Sequence, residues 1–176
     1  MRDHYKNHGL ALIDILKGFE RDDLVVAELG VWKSHNTKRI LRHCSDIIDQ
    51  YWAIDFWQYS DHWNYRGVPE DIWQSMYAYS CRLMRWFPQL CVVRMDTIEA
   101  AKLFPKEYFD LVFIDANHKY KWVKEDINNW VPLVKKGGLL TGHDYGGSKK
   151  EVKIAVDECF ETIDLIPEVG VWIKEI

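Results

Sequence analysis

The stretch FDLVFIDANHKY, residues 109–120, decides the fold. Its first six residues are almost entirely apolar and rich in aromatic and branched side chains, a composition typical of a buried strand. Asp115 and His118 follow directly after this strand. A short apolar strand that delivers polar side chains at its carboxyl end is typical of a parallel sheet that is covered on both faces.

Similar apolar runs lie on both sides of this stretch, separated by segments with helical periodicity. The runs are residues 24–30, 51–57, 90–96 and 138–145. Strands that alternate with helices predict right-handed crossovers and a mostly parallel sheet. Two short strand candidates, residues 163–166 and 171–174, predict a C-terminal hairpin that adds one antiparallel strand. We therefore predict an α/β fold: a Rossmann-like, three-layer α/β/α domain with a mostly parallel, seven-stranded sheet.

The segment after the central strand predicts a helix that ends within Lys135–Gly138. Val123, Ile127, Trp130, Val131 and Val134 recur at helical spacing, and Pro132 is expected in the last turn. Two lysines followed by two glycines are typical of a helix C-terminus, because cations favour the carbonyl end and glycine can adopt a positive φ. Further helices are predicted around residues 12–19, 34–41, 71–87, 97–104 and 149–160.

The composition favours one globular domain spanning residues 1–176. The chain is 48% hydrophobic and 28% charged, and its net charge of -4 argues against a nucleic-acid partner. It has no apolar run of the ~20 residues that a membrane helix needs, and no secretory-signal pattern at its amino terminus. Its four cysteines form no CxxC pair. We expect a cytoplasmic protein without a membrane partner.

Acidic residues and glycine follow the predicted strands. Gly30 allows a tight turn after the first strand, but Trp32 breaks the G-x-G-x-x-G pattern of dinucleotide-binding proteins. Asp55 is spaced to bond a ribose diol, although it could instead close a loop. Asp96 and Thr97 are placed to bond an adenine ring or to cap the next helix.

The run from Phe109 to Tyr145 resembles class I S-adenosylmethionine-dependent methyltransferases, in the small-molecule branch of cephalosporin-hydroxylase-like and catechol-methyltransferase-like proteins. A strand, IDxxHxY, a helix with DI..W.P, K.GG and GHDY occur in this order. Together with residues 28–41 and 51–57, the resemblance covers most of the chain from residue 24 onward. It implies S-adenosylmethionine as the cofactor and methyl transfer to a small-molecule acceptor, at a hydroxyl oxygen.

The resemblance also implies which residues bind the cofactor. Glu28 and Gly30 would flank its methionine part, Asp55 its ribose, and Asp96 with Thr97 its adenine, while Asp115 would lie below the reactive methyl group. Trp32 and Ser34 stand where the family's turn usually has its later glycines. The predicted cofactor-binding residues are Glu28, Gly30, Trp32, Ser34, Asp55, Asp96, Thr97 and Asp115.

His118 is the predicted general base, because an imidazole with an ordinary pKa near ~6.5 suits proton transfer at neutral pH. Alternatively, it bonds only the loop or the cofactor. Asp115 and His143 are the other predicted catalytic residues. Asp115 and Asp144 are predicted ligands of Mg²⁺, which prefers oxygen atoms; the alternative is that His143 and Asp144 shape the loop or touch the substrate.

Residues 57–88 form an aromatic-rich insertion followed by a helix. We interpret it as a lid that stacks on the acceptor; the alternatives are a small satellite core or the face of a homodimer. The predicted substrate contacts are Trp57, Tyr59, Trp63, Tyr120 and Tyr145.

Three other functions remain open from the sequence. The first is a nicotinamide-dependent oxidoreductase, against which Trp32 counts. The second is a metal-dependent hydrolase that uses Asp115, His118, His143 and Asp144. The third is a non-catalytic relative that binds the cofactor as a sensor or assembly partner.

Overall fold

The computed structural model describes residues 8–58, 67–146 and 149–176. Helices and strands alternate along this part of the chain. The helices are α1 (His8–Lys17), α2 (His35–Cys44), α3 (Glu70–Leu83), α4 (Thr97–Ala101), α5 (Tyr120–Trp130) and α6 (Lys150–Cys159). The strands are β1 (Leu24–Leu29), β2 (Ile48–Asp55), β3 (Leu90–Arg94), β4 (Phe109–Ile114), β5 (Val134–Gly142), β6 (Asp164–Ile166) and β7 (Val171–Glu175).

All seven of these strands belong to one sheet, in the order β3-β2-β1-β4-β5-β7-β6. The pairs from β3 to β5 are parallel, and β7 runs antiparallel to both β5 and β6. Because β6 is antiparallel to β7, it runs in the direction of the first five strands. The predicted seven-stranded, Rossmann-like sheet with one antiparallel strand is confirmed.

Two hydrophobic clusters cover the two faces of the sheet. Leu12 of α1, Ile40 of α2 and Trp73 of α3 belong to one cluster. Ala100 of α4 and Ile127 of α5 belong to the other, together with residues of α6. Every residue of β1 and β4 is buried, because these central strands have helices on both sides. Their side chains are fixed by packing, and so are the turns that leave their carboxyl ends.

The predicted helix end at Lys135–Gly138 is wrong. Helix α5 stops at Trp130, a 3₁₀ turn occupies Val131–Leu133, and the two lysines and two glycines lie inside β5. Pro132 cannot continue the helical hydrogen bonding, and Phe109 pairs with Val134 in the neighbouring strand. Gly137 has a positive φ of 74°, as a helix-ending glycine would, but it adopts this conformation within an irregular strand.

The aromatic insertion is described only in part. Residues 59–66 lie outside the described residues, and with them the predicted substrate contacts Tyr59 and Trp63. Helix α3 ends at Leu83, four residues before the predicted end. Among the described helices, none combines the length and apolar character that a membrane span requires.

Candidate active site

A cavity of about 340 Å³ lies at the carboxyl ends of the central strands. The chain leaves β1 toward β2 on one side and β4 toward β5 on the other, so β1 and β4 flank the point where the strand order reverses. Ligands of open α/β sheets bind at such a point. The cavity is lined by His8, Glu28, Gly30, Val31, Trp32, Lys33, His35, Asn36, Arg39, Asp55, Phe56, Gln58, Trp73, Asp115, His118, His143 and Asp144.

Gly30 lines the cavity at the turn after β1. Any other residue at this position would require a local rearrangement. Its φ is 88°, and a Cβ atom there would lie 2.2 Å from the carbonyl oxygen of Asp115. Its N–H donates a hydrogen bond to the Ile54 carbonyl (2.9 Å). The turns after β1 and β4 therefore touch, which brings Asp115 next to the first turn.

The next residues of this turn keep the conformation of a glycine-rich turn without its glycines. Trp32 has φ 47° and Ser34 has φ 56°, both in the left-handed region that L side chains rarely adopt. Trp32 lines the cavity and is 39% exposed. Ser34 is fully buried, its hydroxyl contacts that of Ser80, and it is not among the cavity residues. Ser34 thus has a packing role in the structure, and its direct contact with the cofactor stays a prediction.

Asp55 joins two loops at the mouth of the cavity. Its carboxylate accepts hydrogen bonds from the backbone N–H of Trp32 (2.7 Å) and that of Trp57 (2.8 Å). Burial raises the pKa of Asp55, although these backbone hydrogen bonds oppose the shift. The structure thus shows the loop-closing contact and also places the carboxylate along the cavity, where the ribose prediction needs it.

Glu28 is a buried acid whose side chain borders the cavity. It is 2% exposed and accepts hydrogen bonds from the side chains of Asn36, Thr37 and Tyr51. Burial raises its pKa to about 7, and the three hydrogen bonds oppose that shift without cancelling it. Glu28 therefore organises the start of α2 and the underside of the first turn.

Replacement of Glu28 by glutamine is expected to remove a pH dependence of stability. The unfolded chain releases this proton near pH 4.5 and the folded protein near pH 7, so the free energy of unfolding should fall as the pH rises between these values. The loss amounts to about 3 kcal/mol, since one pKa unit corresponds to about 1.4 kcal/mol. Urea unfolding from pH 4 to 8 measures it, with the exposed Glu168→Gln as the control. An unchanged slope in Glu28→Gln would contradict this prediction.

Five ionisable side chains, here named the Asp115 cluster, meet on the floor of the cavity. They are His8, Asp115, His118, His143 and Asp144. Asp115 lies at the centre: its carboxylate oxygens are 3.4 Å from Nε2 of His118, 3.5 Å from Nδ1 of His143 and 3.8 Å from Nε2 of His8. Nε2 of His118 is also 2.7 Å from a carboxylate oxygen of Asp144. Four of these five residues are predicted site residues, and His8 is not.

His8 comes from a helix that precedes the first strand. Its ring lies 4.3 Å, centroid to centroid, from that of His143 and stacks on Phe113. Leu12 and Leu16 of the same helix are fully buried, which holds α1 against the sheet. No spacing rule connects His8 with the strand ends, so the sequence offered no signal for it.

The charges of the Asp115 cluster are coupled. Burial lowers the pKa of His118, but the hydrogen bonds and charges of Asp115 and Asp144 outweigh it and raise that pKa to about 9. The pKa of Asp115 is below its ordinary value, because His118 and His143 outweigh the effect of burial. At neutral pH His118 is thus protonated in this arrangement. A general base must be neutral, so the predicted base role of His118 does not fit the free protein.

Asp96 and Thr97 do not line the cavity. The Asp96 carboxylate caps α4 by accepting a hydrogen bond from the Ile98 N–H (2.9 Å). The Thr97 hydroxyl donates to the buried carboxylate of Asp126. The structure shows the helix-capping alternative, and the adenine role of both residues stays a prediction.

Three predicted substrate contacts, Trp57, Tyr120 and Tyr145, are not among the residues that line the cavity. Trp57 is fully buried and its Nε1 donates to the Trp32 carbonyl (2.9 Å), so it supports the first turn from beneath. The Tyr120 hydroxyl donates to Glu158, and the Tyr145 hydroxyl to Asp157. Tyr120 therefore attaches the start of α5 to α6, and Tyr145 attaches the loop after β5 to α6. The contact of these three residues with an acceptor stays a prediction.

The donor atoms of the Asp115 cluster do not suit Mg²⁺. Two sets of three side chains among the described residues have ligand atoms within 4.8 Å of one another: His8, Asp115 and His143, and Asp115, His118 and Asp144. Each set includes imidazole nitrogen, whereas Mg²⁺ prefers about six oxygen ligands. Moreover, His118 lies between the two carboxylates that the sequence-based prediction assigned to the metal. The predicted magnesium site on Asp115 and Asp144 is not supported.

The fold and the strand-end cavity define a Rossmann-like α/β protein that binds its ligand at the switch point of the sheet. Comparison with known families then gives the chemistry: the family described as "Methyltransferase domain" matches residues 27–145. The chain belongs to this family and is a class I S-adenosylmethionine-dependent methyltransferase. Membership of a methyltransferase family favours methyl transfer over the nicotinamide and hydrolase alternatives.

Individual relatives are more distant. An uncharacterized protein of Sinorhizobium fredii is 29% identical over 99 residues, which are 56% of this chain and 10% of that protein. This chain therefore spans only about a tenth of that relative. The fold is similar to that of the Podospora anserina methyltransferase PaMTH1, solved with S-adenosylhomocysteine (TM-score 0.67, 11% identity, 96% and 78% of the two chains). It is also similar to the O-methyltransferase NovP (TM-score 0.64, 17% identity, 96% and 77%).

Proposed function

We propose that this methyltransferase acts on a hydroxyl oxygen of a small-molecule acceptor that binds in the strand-end cavity. The observation that carries the proposal is the Asp115 cluster, in which three imidazoles and two carboxylates meet on the cavity floor. In the family resemblance, Asp115 stands below the reactive methyl group. The cluster would then lie beside the atom that receives the methyl group.

The chemistry of methyl transfer explains why such a cluster favours a hydroxyl acceptor. The sulfonium of the cofactor is already an activated electrophile, so the protein chiefly has to align the acceptor oxygen, the methyl carbon and the sulfur. A hydroxyl must also lose its proton as the new C–O bond forms. Imidazole and carboxylate groups can accept a hydrogen bond from the hydroxyl and take up its proton. A neutral amine has no such need before the methyl group arrives.

The shape of the cavity supports a small acceptor. Its volume of about 340 Å³ has to hold the cofactor as well as the acceptor, which leaves room only for a small acceptor. Trp32, Phe56 and Trp73 line it together with the Asp115 cluster, so the site offers both apolar and charged surface. The name of NovP, an O-methyltransferase with the same fold, supports the same kind of acceptor. No step of the proposal passes through Mg²⁺.

S-adenosylhomocysteine is expected to stabilise the protein against heat. A ligand that binds only the folded state at 100 times its Kd adds about 2.7 kcal/mol to the free energy of unfolding. For a domain of this size that corresponds to a rise in Tm of several degrees, roughly 2–4 °C for each kcal/mol. Differential scanning fluorimetry measures it, with NAD at the same concentration as the control. A rise with NAD alone would contradict the cofactor assignment.

The acceptor class is tested by methyl transfer to matched small molecules. Purified protein is incubated with S-adenosylmethionine and phenols, catechols, aromatic amines or thiols, and S-adenosylhomocysteine and the methylated product are measured by mass spectrometry. The proposal expects turnover with the hydroxyl compounds and little with the amines of the same ring system. Turnover confined to amines would overturn it.

A further inference from the structure

The residues of the Asp115 cluster are a poor set of ligands for magnesium and a good set for a different cation. His8, Asp115 and His143 offer two imidazole nitrogens and one carboxylate oxygen, all within 4.8 Å of one another. Imidazole suits zinc, iron, cobalt, nickel and copper, whereas magnesium is bound by oxygen ligands alone. The donor atoms that disagree with magnesium therefore favour a transition-metal ion.

We propose that His8, Asp115 and His143 bind a divalent first-row transition-metal ion, such as Zn²⁺, at the floor of the cavity. Within this set, only Asp115 belongs to both the magnesium prediction and the new site. The proposed site uses His8 where the magnesium prediction used Asp144, and it binds a cation that favours nitrogen ligands instead of a hard cation that favours oxygen.

The separations between the ligand atoms fit such an ion. In a tetrahedral site with bonds of about 2.1 Å, neighbouring ligand atoms lie about 3.4 Å apart. Nδ1 of His143 is 3.5 Å from Oδ1 of Asp115, and Nε2 of His8 is 3.8 Å from Oδ2, so the two imidazoles lie against the two oxygens of one carboxylate. One atom from each of the three side chains lies within 4.8 Å of the other two, so adjustment of the side chains would bring all three to one ion.

Each of the three ligands is held by a different element of the fold. His8 lies in the first turn of α1, whose buried leucines pack on the sheet. The backbone of Asp115 bonds Leu29 of β1, and the N–H of His143 bonds Ile114 of β4, at 2.8 Å and 3.1 Å. Ligands on rigid, separate elements form a preorganised site, so binding does not need a folding step.

His118 and Asp144 are placed as outer partners of this site. Nε2 of His118 contacts the carboxylate of Asp115, a proposed ligand, and also that of Asp144, so His118 orients Asp115 and Asp144 orients His118. Residues that orient metal ligands in this way affect metal affinity by about 10–100-fold. In the Asp115 cluster, His8, Asp115 and His143 would then bind the ion, and His118 and Asp144 would hold the ligands in position.

Three protein ligands leave positions on the ion free toward the cavity, as in catalytic zinc sites. An acceptor hydroxyl that occupies one of them would be held next to the cofactor methyl group. This consequence rests on the proposed function; the binding of the ion does not.

Metal titration of the chelator-stripped protein tests the proposal without any assay of methyl transfer. Co²⁺ is the probe, because its visible absorption changes in intensity and position when it leaves water for a protein site of lower coordination number, and Zn²⁺ is added as a competitor. We expect one Co²⁺ per chain, displaced by Zn²⁺ and not by Mg²⁺. His8→Ala should weaken binding by more than about 100-fold, since even outer partners contribute about 10–100-fold. His35→Ala, which removes a histidine that lines the same cavity, is the matched control.

The outcomes separate this proposal from the proposed function. Equal Co²⁺ affinity in His8→Ala and His35→Ala, or no uptake by the wild-type protein, would overturn the metal site. Loss of Co²⁺ binding in His118→Ala but not in His8→Ala would also overturn it, because Asp115, His118 and Asp144 would then be the ligands. Binding of S-adenosylhomocysteine is measured in parallel: its failure would count against the cofactor assignment and leave the metal result standing.

Discussion

The Gly30→Ala variant is expected to lose about 2–6 kcal/mol of its free energy of unfolding, enough to unfold much of a domain with about 5–15 kcal/mol in total. A left-handed φ costs a residue with a side chain about 1–3 kcal/mol, and here φ is 88°. The new Cβ would also lie 2.2 Å from the Asp115 carbonyl oxygen. Forcing apart two packed turns costs a further 1–3 kcal/mol, approximately as overpacking does.

A second glycine separates these two costs. Gly137 has φ 74°, and a Cβ atom there would meet nothing within 4 Å. Gly137→Ala should therefore show the cost of the φ angle alone. Urea unfolding of both variants, followed by circular dichroism, gives the difference between them. If the two variants are equally destabilised, the close approach of the turns after β1 and β4 does not contribute to stability.

The Asp55→Ala variant is expected to bind S-adenosylhomocysteine at least about 100-fold more weakly. In the family resemblance this carboxylate holds the ribose, and a hydrogen bond to a charged group contributes about 1.5–3 kcal/mol. Two ribose hydroxyls would account for 3 kcal/mol or more. The variant also frees the backbone N–H groups of Trp32 and Trp57, which Asp55 now holds in place. Both effects lower the affinity for S-adenosylhomocysteine.

Isothermal titration with S-adenosylhomocysteine measures this loss. Asp49→Ala is the matched control, because it removes an exposed carboxylate from the other end of the same strand. The control should bind within about twofold of the wild-type protein, since surface substitutions away from a site have small effects. Affinity that is unchanged in a folded Asp55→Ala protein would show that the ribose is bound elsewhere.

The central strands could be predicted because burial on both faces leaves a nearly continuous apolar run. β1 and β4 are such runs, interrupted only by Glu28 and Asp110, and the residues that follow them, Gly30 and Asp115, do line the cavity. The sheet order brings these turns together, and the alternation of strands and helices is sufficient to predict that order in outline.

The remaining parts depend on contacts between distant residues. His8 reaches the site because α1 packs across the sheet, and periodicity does not specify where a helix docks. The lysines and glycines of β5 resemble a helix end because the local signals for a helix C-terminus and an irregular strand are the same; the pairing of β4 with β5 decides between them. Aromatic residues were equally ambiguous: Trp57 supports a turn, and Tyr145 anchors a loop on α6.

His8 comes from a helix that precedes the segment matched by the family model, residues 27–145. That segment supplies the turns after β1 and β4 and most of the cavity floor, while α1 supplies one imidazole of that floor. Substitutions confined to α1 therefore alter the chemistry of the pocket and leave the strand-end turns as they are. For protein engineering, α1 is the element to vary first.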